Sequence, residues 1–382
     1  MKVKHDASQK EEKQMTTVQS IGRNQGQTAN RPQAAALRAL AVCLAISVAA
    51  ATRSEAVTLK SGDIVMADSS SAVLRVDPKT GEATVISSGK NLVRPFGVAV
   101  EADGNILVTD TGALAIIRID PQTGSNRVIS SGGVLGTPYG ITLDHQGNIL
   151  VANAEAVVRV DPQSGAQTVV SSNGMFRAAV GVAVAGDGAI FVADMTGTIL
   201  RVDPMSGVQT SISAGTHLVN PVGIAIDDDG SLLVADEGSH ALVRLDAASG
   251  IQEVVSVGND LMTPVSVAIG AQHNILVGDP DASNLNGAVI QIDPASSTQT
   301  NVYVGSGELV NPRGIALVPT VHDRIAQLSP CQGPSLGTTW KNHGQYVGAV
   351  AKVARRFVRA GSISRVEQRA IIREALVSQC GQ

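Results

Sequence analysis

From about residue 60 the chain alternates short apolar runs with short polar breaks, and the alternation itself repeats. One unit reads Pro221-Val-Gly-Ile-Ala-Ile, then Gly230-Ser-Leu-Leu-Val-Ala-Asp236, then Leu242-Val-Arg-Leu-Asp246. The middle run recurs six times, ending at Asp68, Asp110, Asn153, Asp194, Asp236 and Asp279, with spacings of 42, 43, 41, 42 and 43 residues. Runs such as Ile224-Ala-Ile226 and Leu232-Leu-Val-Ala235 are apolar at consecutive positions, which strands show when both faces of their sheet are covered. Asp-Gly steps (Asp103-Gly104, Asp229-Gly230) predict tight hairpins. Asp-Pro-x-Ser/Thr-Gly segments (Asp77 to Gly81, Asp120 to Gly124, Asp203 to Gly207) predict turns in which proline is preset and glycine takes positive φ. Each unit therefore predicts four strands, in the unit at Pro221 about 221–227, 231–236, 241–246 and 251–256.

A period of this length carrying short strands and fixed turn residues predicts a β-propeller. The chain enters the repeat at the Asp68 run and leaves it with an orphan segment, Pro312-Arg-Gly-Ile-Ala-Leu-Val318. Pairing the two closes a ring as one strand plus three and leaves no large exposed sheet edge. The expected fold is all-β: a six-bladed propeller over 57–319, followed by a small α-helical hairpin over 320–382. We number blades from the strand at Pro95, so that Pro221 opens blade 4 and the strand at Pro312 completes blade 6. In the tail, Val347, Val350, Val353 and Phe357 fall on one stripe of a helix from Gly344 to Ala360, which Gly361 stops. Ser364-Arg-Val-Glu367 is a capping box opening a second helix through Leu376.

Upstream, residues 34–51 form an apolar segment preceded by Arg31 and carrying Arg38, and Ser54-Glu-Ala56 has small residues where a signal peptidase reads. Residues 1–56 are thus expected to be a secretory signal with a polar extension, starting at Met1 or Met15, on a secreted or periplasmic protein. Leu40-Ala-Val-Cys43 fits a lipoprotein box poorly because valine precedes the cysteine. The mature chain has no segment apolar enough to span a membrane. It keeps two cysteines, Cys331 and Cys380, expected to bond to each other in an oxidising compartment. A net charge of −4 with no basic patch in the repeats excludes nucleic acid as a partner.

Candidate chemistry falls on the face formed by the loops between second and third strands and by the blade-to-blade connections. It carries the acid series ending each middle run and the ligand-binding candidates Arg94, Phe96, Tyr139, Asn220, Asn311 and Arg313. Oxygen ligands in a ring suit Ca²⁺ or another divalent metal, with Asp194, Asp236, Asp279, Asp281 and Asn284 as metal candidates; no cofactor is required. An acid present in nearly every repeat is better explained by a per-repeat task, accepting backbone N–H groups. A pair with the third-strand series Arg75, Arg118, Arg159, Arg201 and Arg244 would account for both series. The longest insertion, Asp279 to Gly287, offers oxygens from Asp279, Asp281, Ser283, Asn284 and Asn286, but lacks the sixth-position glycine and distal glutamate of a calcium loop. His217 and His240, with Glu237 beside them, are the catalytic candidates, as a general base or else as exposed loop histidines. His145 and His273 sit in the opposite-face turns.

The motifs Pro-x-Gly-Ile-Ala-Val, Asp-Gly-Asn-Ile-Leu-Val-Ala-Asp and Val-Ile-Arg-Val-Asp-Pro together resemble NHL-type repeats, within the wider group of gluconolactonase-like propellers and streptogramin B lyases. The resemblance implies a divalent metal held around the channel by a glutamate, asparagines and an aspartate, but only generic repeat acids match here. The tryptophan-rich blade motifs of the lyases are absent, Trp340 being in the tail. A sugar- or macrocycle-binding cup uses stacking aromatics, and only Phe96 and Tyr139 occupy such positions. The tail resembles a helical hairpin found after various domains of secreted bacterial proteins. The expected function is a secreted binding or scaffold module, taking a protein, glycan or small molecule at the channel mouth, rather than an enzyme. The alternative is a metal-dependent lactonase, lyase or esterase, and a third possibility is an envelope component whose tail is the working end.

Overall fold

A computed structural model describes residues 56–381 apart from 271–272, 307–310, 330, 332, 334–338 and 360–362. The expected signal segment, both candidate start residues and Gly361 lie outside the described residues. Six four-stranded antiparallel sheets form the ring. The strand Pro312–Leu317 pairs with Ile64–Asp68, setting Ile64 opposite Leu317, and Ala72–Val76 and Ala83–Ser88 complete that sheet.

The consecutive apolar pattern has a direct cause. In blade 4, Leu232 and Val234 pack with Phe191 and Ile199 of blade 3, whereas Leu233 and Ala235 pack with Val277 and Ile290 of blade 5. Successive side chains of a strand point to opposite faces, and here each face meets a neighbouring blade. All six second strands are buried throughout. Polar groups stitch the same seams: Ser171 Oγ donates to the Gly207 carbonyl of the next blade at 2.6 Å and accepts from Gln209 Nε2 at 2.9 Å. Ser130 with Gln167 and Ser213 with Gln252 repeat the arrangement.

Around the axis the inner strands approach so closely that a side chain is excluded. A Cβ on Gly181 would lie 2.3 Å from the Val222 carbonyl oxygen, and one on Gly314 2.3 Å from that of Phe96. Blade 5 carries Ser266 there instead. Its partner strand has Gly278 where blades 3 and 4 have Ala193 and Ala235, and a Cβ on Gly278 would meet Ser266 Oγ at 2.4 Å. One side chain has moved from the second strand to the first.

The tail carries the two expected helices, His343–Arg359 and Arg365–Val377, the latter opened by the Ser364–Glu367 capping box. A further helix, Val321–Leu328, precedes them; Val321, Ile325 and Leu328 stand at helical spacing, but over only two turns, and it is not among the helices expected from the sequence. Val350, Val353, Ala354 and Phe357 are buried with Ile325 and Ala375, and a disulfide joins Cys331 to Cys380. Among the described residues no helix is long and apolar enough to cross a membrane.

Candidate functional site

The strand-end acids are fully occupied by their own blades. Asp236, with no solvent exposure, accepts the N–H groups of Val219 at 2.8 Å, Asn220 at 3.1 Å and Ser239 at 2.8 Å. Asp110, Asp194 and Asp279 do the same with their own connections. At Asn153 the polarity is reversed, and Nδ2 donates to the Val134 carbonyl at 2.8 Å. The expected pairing of these acids with the third-strand arginines does not occur. Strand register sets Arg244 opposite Leu233, toward the other end of the blade. The arginines pair instead with acids of the opposite-face turns: Arg75 with Asp63, Arg118 with Glu101, Arg159 with Asp144, Arg201 with Asp187 and Arg244 with Asp227.

The structure therefore does not gather Asp194, Asp236, Asp279, Asp281 and Asn284 into a metal centre. The three buried aspartates belong to different blades and are spent on backbone N–H groups. Asp281 accepts from Thr263 Oγ1 at 2.6 Å, and Asn284 is an exposed residue of a left-handed turn with φ 61°. His217 and His240 are both exposed. The backbone N–H of His217 donates to Gln252 Oε1, the ring of His240 is bonded through Nδ1 to the Met262 carbonyl, and the backbone N–H of Glu237 donates to the Asn220 carbonyl.

Of the ligand-binding candidates, Phe96, Tyr139 and Arg313 do meet around the axis, ringed with the buried Val180, Val222 and Val265. The Phe96 and Tyr139 rings stack edge-on, 5.4 Å apart. Arg94 is tied to Thr111 Oγ1 and Asn220 to the Met195 carbonyl, while Asn311 donates its N–H to Asp68. The channel below this ring holds about 80 Å³, far less than the roughly 300–1,000 Å³ of a ligand pocket. A small organic molecule bound here would rest on the mouth.

The opposite face holds a different constellation. Asp227 ends the inner strand of blade 4 and is buried. Its Oδ2 accepts from Arg244 at 3.0 Å, and its Oδ1 accepts from His273 Nδ1, in the equivalent turn of blade 5, at 2.8 Å. One ligand atom each of Asp227, Asp228 and His273 lies within 4.8 Å of the others, and they form the only such group among the described residues. Burial pushes the Asp227 carboxyl up, but hydrogen bonds from His273, the Asp228 N–H and Arg244 outweigh it and hold the group below its usual range. His273 is held above the ordinary imidazole value, first by its hydrogen bond to Asp227 and then by that carboxylate's charge.

Asp227 and Asp228 line a cleft of about 390 Å³ between blades 3 and 4, whose other wall carries Phe191, Asp187 and Arg201. Two carboxylates and an imidazole suit a divalent cation and leave coordination positions open, as catalytic metal sites require. Arg244 on the far oxygen of Asp227 has the place of an orienting partner. The residues fit a metal. Sequence reasoning misses this site because the strand-end acids draw it to the other face; the available signals are the Asp227-Asp228-Asp229 run and a histidine in the matching turn of the next blade.

Against known proteins, the NHL repeat model matches residues 218–245. Comparison with curated protein sequences finds no match. Among solved structures, the chain is similar to one in a nidogen/laminin complex, with 19% identity, 66% of this chain and 97% of that one covered, and a TM-score of 0.58. It is also similar to virginiamycin B lyase from Staphylococcus aureus, with 16% identity, coverage of 70% and 90%, and a TM-score of 0.53. A catalytically inactive form of that lyase with quinupristin matches at 17% identity, coverage of 69% and 92%, and a TM-score of 0.51. The expectation of a non-enzyme is corrected by these findings together: a fold shared with lyases, and a carboxylate–carboxylate–imidazole group whose two carboxylates line a cleft. The chain is a six-bladed β-propeller with NHL-repeat homology, fold relatives among the streptogramin B lyases and a C-terminal helical segment.

Proposed function

We propose that the protein is an exported, divalent-metal-dependent lyase or hydrolase acting on ester or lactone bonds, with its centre at Asp227, Asp228 and His273. The observation that carries this is the convergence of those three groups within 4.8 Å, two of which, Asp227 and Asp228, line the cleft between blades 3 and 4. A bound cation would supply Lewis-acid polarisation of a substrate carbonyl. Asp227, braced by Arg244, and Asp228, exposed at the cleft, hold the charge in place. Arg201, half-exposed on the facing wall, offers a guanidinium to a substrate oxyanion, its contact with Asp187 being a loose 3.5 Å. Phe191 and Ile226 give the cleft an apolar floor. The Cys331–Cys380 disulfide supports export to an oxidising compartment.

The test is twofold. Titration calorimetry with Mn²⁺ and Zn²⁺ is expected to show one site, lost in Asp228→Ala and His273→Ala. A panel of lactones, esters and streptogramin B substrates is then expected to show turnover that disappears with EDTA and in the same variants. Absence of metal binding by the intact protein overturns the reading.

A further inference from the structure

The tail helices lie over the turn face of blades 1 and 2, and between them is a cleft of about 540 Å³, within the range of small-molecule sites. Leu143 and Pro162 from the propeller and Leu328 and Phe357 from the tail give it apolar walls. Its polar groups do not cancel. Glu101 is committed to Arg118 and Asp144 to Arg159, both partners lying outside the lining. Asp103 accepts from Asn105 of its own hairpin and acts on Arg324 through its charge, without a direct contact. Arg324 and Arg356 remain, and among the described residues neither has a carboxylate within ion-pair distance.

Arg324 is held in place. Its Nε–H donates to the Ala102 carbonyl, and its guanidinium lies 4.7 Å from the centre of the Phe357 ring. Burial pushes its pKa down, and the charge of Asp103, acting from beyond ion-pair distance, offsets that only in part. A half-buried guanidinium fixed by one nitrogen presents the rest of its planar fork, the geometry that suits a carboxylate.

We propose that this cleft binds an organic carboxylate, its head on Arg324 in the field of Arg356 and its apolar body against Leu143, Pro162, Leu328 and Phe357. The site is separate from the Asp227–Asp228–His273 centre, which lies in blades 4 and 5, and does not depend on it.

Calorimetry on the full mature chain with octanoate, octylammonium and acetate tests this. Octanoate is expected to bind at one saturable site. Octylammonium, with the same chain and the opposite charge, is expected not to bind, and acetate to bind at least about tenfold more weakly for want of an apolar body. Arg324→Gln should weaken octanoate about tenfold or more. Because that change also removes the tie to Ala102, Leu143→Trp supplies a second variant that fills the cleft and leaves both arginines; it too should abolish binding, with far-UV circular dichroism unchanged. Equal binding of octanoate and octylammonium, no octanoate binding at all, or undiminished binding in either folded variant overturns the proposal.

Discussion

Asp236 receives the backbone N–H of Val219 at 2.8 Å, so the residue that ends the second strand of blade 4 fixes the connection that leads into its first. The same carboxylate holds Asn220 and Ser239, both from backbone N–H groups. Asp236→Ala strands these donors in a site closed to solvent and should cost about 3–5 kcal/mol, read as a lower urea midpoint. Asp236→Asn should recover only part, since an amide accepts through one oxygen. An alanine variant with wild-type stability would mean that water replaces the carboxylate.

Ser266 and Gly278 should behave as a coupled pair. Gly278→Ala places a methyl on Ser266 Oγ, where a Cβ would sit at 2.4 Å, and should destabilise by about 1–3 kcal/mol. Adding Ser266→Gly recreates the glycine–alanine arrangement of blades 3 and 4 and should restore most of the loss. A double-mutant cycle measures the coupling, and additive effects would count against the proposed fit.

The turn acids give the fold an acid limit. Asp77, Asp161, Asp203, Asp246 and Asp293 are each held below the usual aspartate range, chiefly by backbone N–H donors of the turns they begin. A carboxylate with a depressed folded-state pKa contributes stability that is complete above its unfolded value, about 3.9, and lost as pH falls through the folded value. Urea midpoints should be level near neutral pH and fall below about pH 4, and Asp203→Asn should make that fall shallower. A midpoint unchanged down to about pH 2 would contradict the assignment.

Arg244 should matter to metal affinity without being a ligand. Its contact with Asp227 Oδ2 leaves Oδ1 to face His273, so Arg244→Met frees the carboxylate to rotate. Mn²⁺ affinity is expected to fall about ten- to hundredfold, measured by calorimetry, while far-UV circular dichroism is retained.

Breaking the disulfide should loosen the tail and spare the ring. Cys331 and Cys380 are 49 residues apart, and a loop of that length contributes about 4 kcal/mol on the chain-entropy model. Cys331→Ser/Cys380→Ser should therefore give an early transition sensed by Trp340 fluorescence and a later one for the propeller. A single unshifted transition would show that helix packing alone holds the tail.

The ring is legible because its cause is local. A strand packed on both faces must be apolar at every position, and Leu232-Leu-Val-Ala235 displays that without reference to any distant residue. The serine–glutamine stitches are not, since Ser171 and Gln209 look like ordinary surface residues until two blades are placed side by side. The Asp227–His273 contact is hidden for the same reason, its members being 46 residues apart in adjacent repeats. The arginine series is visible in the sequence, but its partners lie at the other end of the blade from the one expected, because register decides that and sequence spacing does not. The helix Val321–Leu328 leaves a periodic trace of only three apolar residues, too short to stand out, and with it goes Arg324, whose tie is to a carbonyl in blade 1.

The strand that completes blade 6 has a temporal consequence. Asp68 accepts the N–H of Asn311 across 243 residues of chain, so a growing polypeptide cannot finish its first-made sheet until nearly all of the rest exists. Through synthesis, Ile64–Asp68 waits as an unpaired edge of apolar residues, the kind of surface that aggregates or recruits a chaperone. A circular permutant that places the Pro312 strand directly before Ile64 would make every blade local in sequence, and it should refold faster and with less aggregation than the natural order.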